Sequence, residues 1–418
     1  MSVVEAPVGS KILRLLRSSA GIAIAMAVMN IGAYAFQMVS ARLLGPEQYG
    51  GIASLMALLM VLSVVQLGIQ ATAARRIVHE PADVAAIEQS ILATTWRAAW
   101  GLGILALACT PLVWKLLELG SIYPAVLLAL TVVPTTLMGG QAGVLQGERR
   151  WLPLSLMYIG VGVPRVVLGA GFLAVRHTEA SGMLGVLVAS FIPVGIGYLA
   201  LRGHRPHATA TAHNREVRRD VRHEAIASSM ALLAFTALAN LDVIVARNVL
   251  SHRDAGLYAG GLIVTKAVLF LPQFAVVILF PSMADDSQSR QAIVRGLVFL
   301  GGLGAFCVAG AWALQGVAVQ FVGGEKYADV TGRLWLFAVI GGLLSLLQLL
   351  VYSGLAQRGR STKYIVAVSV AALIGIGGMA TGLTGLALTV MAIDAVTVTV
   401  LLALQLAQGR ERVAADGA

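Results

Sequence analysis

The sequence predicts an all-α integral membrane protein of twelve transmembrane helices, grouped as two six-helix lobes. Three observations carry that prediction: a very apolar composition, apolar runs of span length along the whole chain, and one phrase written twice about half a chain apart. Of 418 residues, 58% are hydrophobic and only 12% charged. A soluble domain carries about 25% charged residues, so this chain lacks the polar surface to face water on all sides. Runs of about 20 apolar residues are long enough to cross a hydrocarbon core of roughly 30 Å. The short alternating segments of a membrane β-barrel do not appear.

The spans are expected near 18–43, 51–74, 92–114, 122–146, 152–175 and 181–201, and again near 225–249, 256–283, 294–321, 332–355, 363–381 and 384–406. The first follows the basic stretch "KILRLLR", as a signal peptide would. Its apolar run is too long for one, and no small-residue cleavage site precedes a soluble domain, so it is read as a retained helix. Between the sixth and seventh spans lies a basic, histidine-bearing stretch, 203–224, expected to be a cytoplasmic linker. It separates an N-terminal lobe, 1–202, from a C-terminal lobe, 225–418.

Lys and Arg set the orientation. With the N-terminus in the cytoplasm, the inner segments hold Lys11, Arg14, Arg17, Arg75, Arg76, Arg149 and Arg150, the cluster from Arg202 to Arg222, and then Arg290, Arg295, Arg358, Arg360, Lys363, Arg410 and Arg412. The outer loops hold only Arg42, Lys115, Arg176, Arg247, Arg253, Lys326 and Arg333. Both termini are therefore expected inside. The net charge of +10 is explained as a topology signal facing anionic lipid, with no need for nucleic acid as a partner.

The doubled phrase is "ARLLGPEQYGGIASLMALLM" at 41–60 and "RNVLSHRDAGLYAGGLIVTKAV" at 247–268. It aligns Gly50 with Gly256. A second pair, "GVLQGERR" from Gly143 and "GLAQRGR" from Gly354, falls at nearly the same offset. Both pairs occupy equivalent places in their halves. Six spans per half is an even number, so the halves share one topology and are related by a pseudo-two-fold axis along the membrane normal.

At these residues, and in "LPQFAVVILFPSM", the chain resembles the polysaccharide transporter group of the multidrug, oligosaccharidyl-lipid and polysaccharide flippase superfamily. The resemblance implies a V-shaped bundle, like that of multidrug-and-toxin-extrusion proteins, in a bacterial or archaeal inner membrane. It implies outward transfer of polyprenyl-pyrophosphate-linked oligosaccharide by alternating access, without bond chemistry and without a cofactor. The implied partners are the lipid-linked oligosaccharide and membrane lipids, with glycosyltransferases on the cytoplasmic side and a polysaccharide polymerase. The alternative is a cation- or proton-coupled drug exporter of the same superfamily. That branch wants an embedded acid in the first lobe, where the first span offers Asn30 and Gln37 but no carboxylate.

A charge at mid-bilayer costs roughly 2.5–3.5 kcal/mol on insertion scales and needs a partner or a watery cavity. Arg165, Asp242, Lys266 and Asp394 sit well inside spans, and Arg97 lies nearer the cytoplasmic end of its own. Arg97 either snorkels to the headgroups or joins a binding site. Asp242 and Lys266 form either a structural ion pair or, for Asp242 with Asp394, a site for a coupling ion or proton. Arg165 stays charged and has no Asp or Glu in mid-span in its own half; unless it meets an acid from the other half, its partner is a carbonyl cluster, water or an anionic ligand, and a pyrophosphate fits the paired donors of a guanidinium. Pro164 beside it frees backbone carbonyls, which suits a cavity wall.

Polar stripes at helical spacing, Asn30–Tyr34–Gln37, Ser63–Gln66–Gln70 and Ser345–Gln348–Tyr352, suit sugar hydroxyls and equally suit helix packing. The expected substrate contacts are thus Arg165, Arg97, Lys266, Asn30, Tyr34, Gln37 and Gln66. Cys109 and Cys307 read as buried thiols, and His204, His207 and His213 as linker residues without metal spacing. Pro134, Pro164, Pro272 and Pro281 mark helices that can bend. No Walker loop, nucleophile elbow or HExxH pattern is present, and an ATPase would need the first.

Overall fold

A computed structural model describes residues 16, 18–81, 83–202, 212–283, 289–356 and 360–416. Among them there is no strand. The helices are α1 (Ser19–Leu44), α2 (Pro46–Leu62), α3 (Val64–His79), α4 (Val84–Ala108), α5 (Thr110–Leu116), α6 (Tyr123–Gly147), α7 (Trp151–Val175) and α8 (Glu179–Leu201). They continue with α9 (Ala212–Leu238), α10 (Leu241–Val249), α11 (His252–Met283), α12 (Ser289–Ala313), α13 (Gln315–Val322), α14 (Leu334–Ala356), α15 (Arg360–Gly377) and α16 (Gly382–Asp416), with a 3-10 turn at Gly324–Arg333 before α14. Nine helices among the described residues are long and apolar enough to cross a membrane, or ten if the pair bent by 40° around Ala239–Asn240 is one span. Lys11, Arg14, Arg17, Arg205, His204, His207 and Arg358, and the side chains of His213, Pro272, Pro281 and Tyr352, lie outside the described residues.

Local sequence explains where helices stop. In "LLGPEQYGG", Gly45 takes φ +73° and its N–H closes on Ala41 O at 2.9 Å, ending α1. Pro46 then opens α2, where its missing N–H costs nothing. After α6, Arg149 adopts φ +56°, and Arg150 N–H reaches back to Leu145 O at 2.8 Å. The expected third span is broken at Cys109, just before Pro111, into α4 and α5.

The described chain forms two compact units. One contains residues up to Phe36 together with Leu59–Leu232; the other contains Gln37–Leu58 together with Leu233 onward. The division falls inside α9, beyond the expected start of the second half at 225. It also assigns the tip of the α1–α2 hairpin to the second unit.

Within the first unit, glycines let helices meet backbone to backbone. Gly139, Gly143 and Gly147, four apart on α6, face α3: a Cβ added at each would come within 2.6 to 2.7 Å of Gln66, Ala73 and Ile77. Small residues at this spacing replace the hydrophobic effect, which lipid does not supply between helices. Likewise Gly162 of α7 lies against Met29 of α1, and Gly185 of α8 against Gly169 of α7. Ile87, Ile91, Met138, Leu145 and Met157 fill the core around these crossings.

Within the second unit, the two copies of the doubled phrase touch. A Cβ on Gly50 would lie 3.2 Å from Gly256 N and 3.3 Å from Arg247 Nη1. Around this point Ser54 Oγ donates to Val243 O at 3.3 Å and Tyr327 OH to Ala41 O at 3.3 Å, while Arg42 Nη2 donates to Gln320 O at 2.8 Å. Tyr49 and Tyr327 stack edge to face at 6.3 Å. Arg247, expected in an outer loop, is instead only 3% exposed and donates to Glu47 O at 3.4 Å.

Candidate functional site

The intramembrane charges fall into two groups, one in each unit. In the second unit a broken helix builds the site. α9 ends at Leu238 and α10 begins at Leu241, so the last carbonyls of one helix and the first N–H groups of the next have lost their helical partners. The carbonyl end attracts a cation and the N–H end an anion. Lys266 of α11 meets the first, donating from Nζ to Ala239 O at 2.7 Å and to Asn240 Oδ1 at 2.9 Å. Asp242, in the first turn of α10 and 4% exposed, meets the second: its Oδ1 accepts from Val243 N–H at 2.9 Å and its Oδ2 from Tyr258 OH at 3.1 Å.

The structure therefore does not pair Lys266 with Asp242 directly. Each charge is held by a helix end, and the two interact across the break. Asp394 of α16 is 1% exposed and lies within electrostatic reach of Asp242 and Tyr258. Its Oδ2 has no hydrogen-bond partner among the described residues. Two carboxylates, one ammonium and a phenol thus lie within reach of one another, and Tyr258 meets Phe337 edge to face at 5.2 Å. No group of three or more His, Cys, Asp or Glu side chains able to hold a metal occurs among the described residues.

Removing the cation tests this arrangement. Lys266→Met is expected to destabilise the protein by about 3 kcal/mol, because it leaves a buried carboxylate pair without its counter-charge. Adding Asp242→Asn should return part of that loss, since coupled sites are not additive. Thermal unfolding of the two single variants and the double variant in detergent reads both.

In the first unit, Arg165 is half-buried on α7. It lies one turn from both Gly162 and Gly169, the residues through which α7 packs on Met29 and Phe36 of α1. Among the described residues it makes no hydrogen bond and no ion pair. Asn30 and Tyr34, on α1 between Met29 and Phe36, are also half-buried. Beside the α1–α7 seam stands a guanidinium without a partner among the described residues, with an amide and a phenol close by along α1.

The other expected contacts lie elsewhere. Gln37 belongs to the second unit and accepts from Tyr49 OH at 3.1 Å. Gln66 packs against α6, with Nε2 3.7 Å from Met138 Sδ, and Gln70 joins Gln146 at 3.0 Å and Tyr158 at 2.8 Å. Ser345 turns back to Gly341 O at 2.8 Å. Arg97 is exposed on α4, beside a cavity described below. Cys109 and Cys307 are free thiols of intermediate exposure.

Sequence reasoning missed Asn240, Tyr258 and Glu88. Asn240 was signalled by its place between two apolar helices, at a polar "NLD" step. Glu88, outside the expected span at 92–114, lies in α4 and is 2% exposed. Only the helix's actual start at Val84 brings it inside.

A family profile described as "Polysaccharide biosynthesis protein" matches residues 15–285. No curated protein matches. Among solved structures, the chain is similar to an inward-facing multidrug resistance MATE family transporter of the MOP superfamily, at TM-score 0.75 and 13% identity, over 94% of this chain and 98% of that one. It is similar to the lipid II flippase MurJ in an inward closed conformation, at TM-score 0.66 and 13% identity, over 91% and 86%. A MOP superfamily transporter from Pyrococcus furiosus aligns at TM-score 0.58 and 16% identity, over 98% and 99%. The fold is that of MATE-like transporters, and by its sequence the chain belongs to the polysaccharide biosynthesis protein family.

Proposed function

We propose that this protein is a flippase that carries polyprenyl-pyrophosphate-linked oligosaccharide from the cytoplasmic to the outer leaflet of a bacterial or archaeal inner membrane. The observation that carries the reading is Arg165: a permanently charged side chain, half-buried in a helix seam, that no described residue neutralises. Such a group demands an anion, and a guanidinium fork fits phosphate oxygens. Membership of the polysaccharide biosynthesis family supports a polysaccharide precursor as cargo, and the likeness to a lipid II flippase supports a lipid-linked one. In this reading twelve spans form two six-helix lobes, 1–202 and 225–418, joined by the basic segment 203–224, with both termini in the cytoplasm. Arg165, Asn30 and Tyr34 take the sugar pyrophosphate head, and the polyprenyl tail stays in lipid. Asp242 and Asp394 take up the coupling ion or proton.

A second reading, a cation-coupled drug exporter, is favoured by that buried carboxylate pair and by the MATE likeness. Reconstitution separates the two. Proteoliposomes loaded with a labelled pyrophosphate-linked oligosaccharide are expected to expose it progressively to an added lectin, and to leave the dye ethidium untransported. Ethidium transport without movement of the glycolipid would establish the exporter instead.

A further inference from the structure

The first unit contains a second cationic site, away from the seam that holds Arg165. A cavity of about 670 Å³ lies between α3, α4 and the first part of α9. Its walls are apolar, from residues such as Val65, Ile69, Ile226 and Met230, and two guanidinium groups, Arg97 of α4 and Arg222 of α9, line it. Both arginines are exposed, and neither forms an ion pair among the described residues. The nearby acid is already engaged: Glu224 accepts from Arg75 at 2.8 Å and from Arg76 at 2.7 Å. Among the described residues no carboxylate lines the cavity.

Its depth is marked by neighbours. The Arg75–Glu224–Arg76 cluster places water at this end of α3 and α9. Trp96 and Trp100, exposed and stacked at 6.5 Å on either side of Arg97 in sequence, are the side chains that settle at headgroup level. α9 is fixed against α3 at the same point, because Gly68 leaves room for Ser229 and Ala225 and no more. The cavity is therefore a built slot, apolar within and doubly cationic at its lining.

We infer that this slot binds an acidic membrane phospholipid, its phosphate between Arg97 and Arg222 and its acyl chain along the apolar wall. The lining selects against the sugar-bearing cargo. Besides the arginines, the described lining offers the hydroxyls of Thr94 and Ser229, and Ser229 Oγ is spent on Ala225 O at 2.8 Å. A glycan would leave its hydroxyls unmatched there, whereas a phosphodiester with an apolar tail uses every group present. Bound in this way, a lipid ties α4 to α9 where no protein charge does so. Arg97 thus serves lipid binding here, and the inference does not depend on what the protein transports.

Titration of the purified full chain in detergent with dioctanoyl phosphatidylglycerol, dioctanoyl phosphatidylcholine and geranylgeranyl pyrophosphate tests it, read by thermal unfolding and by native mass spectrometry. Phosphatidylglycerol should raise the unfolding temperature and remain bound, and phosphatidylcholine should do so at least about tenfold more weakly. Arg97→Gln with Arg222→Gln should abolish that preference, Arg97→Lys with Arg222→Lys should keep most of it, and Arg165→Gln should leave it unchanged. Equal binding of the two phospholipids, or an unaltered preference in the double Gln variant, would overturn the inference. So would binding of geranylgeranyl pyrophosphate, but not phosphatidylglycerol, lost in the double Gln variant, which would make the slot a cargo site.

Discussion

Valine at Gly256 is expected to disrupt the second unit, lowering stability by about 3 kcal/mol or preventing recovery of folded protein. A Cβ at this position would overlap the carbonyl of Pro46, at the start of α2. The obstacle is backbone, so no rotamer change relieves it. α2 would have to lift away, and the bonds clustered there would fail together: Arg247 to Glu47, Ser54 to Val243 and Tyr327 to Ala41. Gly310→Ala is the control, since nothing lies within 4 Å of a Cβ there and α12 should gain up to about 1 kcal/mol. Unfolding midpoints and protease resistance in detergent give the comparison. A Gly256→Val protein as stable as the parent would mean that the backbone contact between Gly256 and Pro46 is not a constraint on this fold.

Arg165→Ala is expected to cut glycolipid transfer by about a hundredfold while leaving stability equal or improved. Hydrogen bonds to a charged partner contribute about 1.5–3 kcal/mol each, and a guanidinium gives a phosphate two of them. Loss of both is sufficient for that decrease. Stability should not fall, because the variant removes a half-buried charge that no described residue satisfies. Arg165→Lys should retain part of the activity through charge alone, lacking the planar fork. The measurement is transfer in proteoliposomes normalised to protein amount, together with the unfolding midpoint. Full activity in Arg165→Ala would remove this residue from the transport path. A fall in stability as large as the fall in transfer would make its role structural.

Much of the fold is legible because it is local. Run length places the helices: α-helix occupies each stretch expected to span, and α1, α6, α7 and α8 end within a few residues of the expected limits. Gly45–Pro46 punctuates the chain by backbone geometry alone. The "GxxxGxxxG" of α6 also stands in the sequence, but sequence reasoning missed it as a contact face; the packing of Gly139, Gly143 and Gly147 on α3 shows that it is one. The doubled phrase was visible as well, although nothing in it says that its two copies meet at Gly50 and Gly256.

The polar residues were harder to place. Gln66 and Asn30 look equivalent as stripe members, yet Gln66 packs on Met138 of α6 while Asn30 stands beside the α1–α7 seam. Lys266 and Asp242 stood open between an ion pair and separate roles, and the break at Asn240 gave each charge a helix end. By itself the sequence determined the solvent, the helices and the family, since apolar length, turn residues and a repeated phrase act over a few residues at a time. Tertiary structure alone decided which charges found partners and where the α1–α2 hairpin tip belongs. In lipid a polar group is stabilised by the particular neighbour that packing brings to it, and for Lys266, Gln70 and Arg247 that neighbour lies 26, 76 and 200 residues away along the chain.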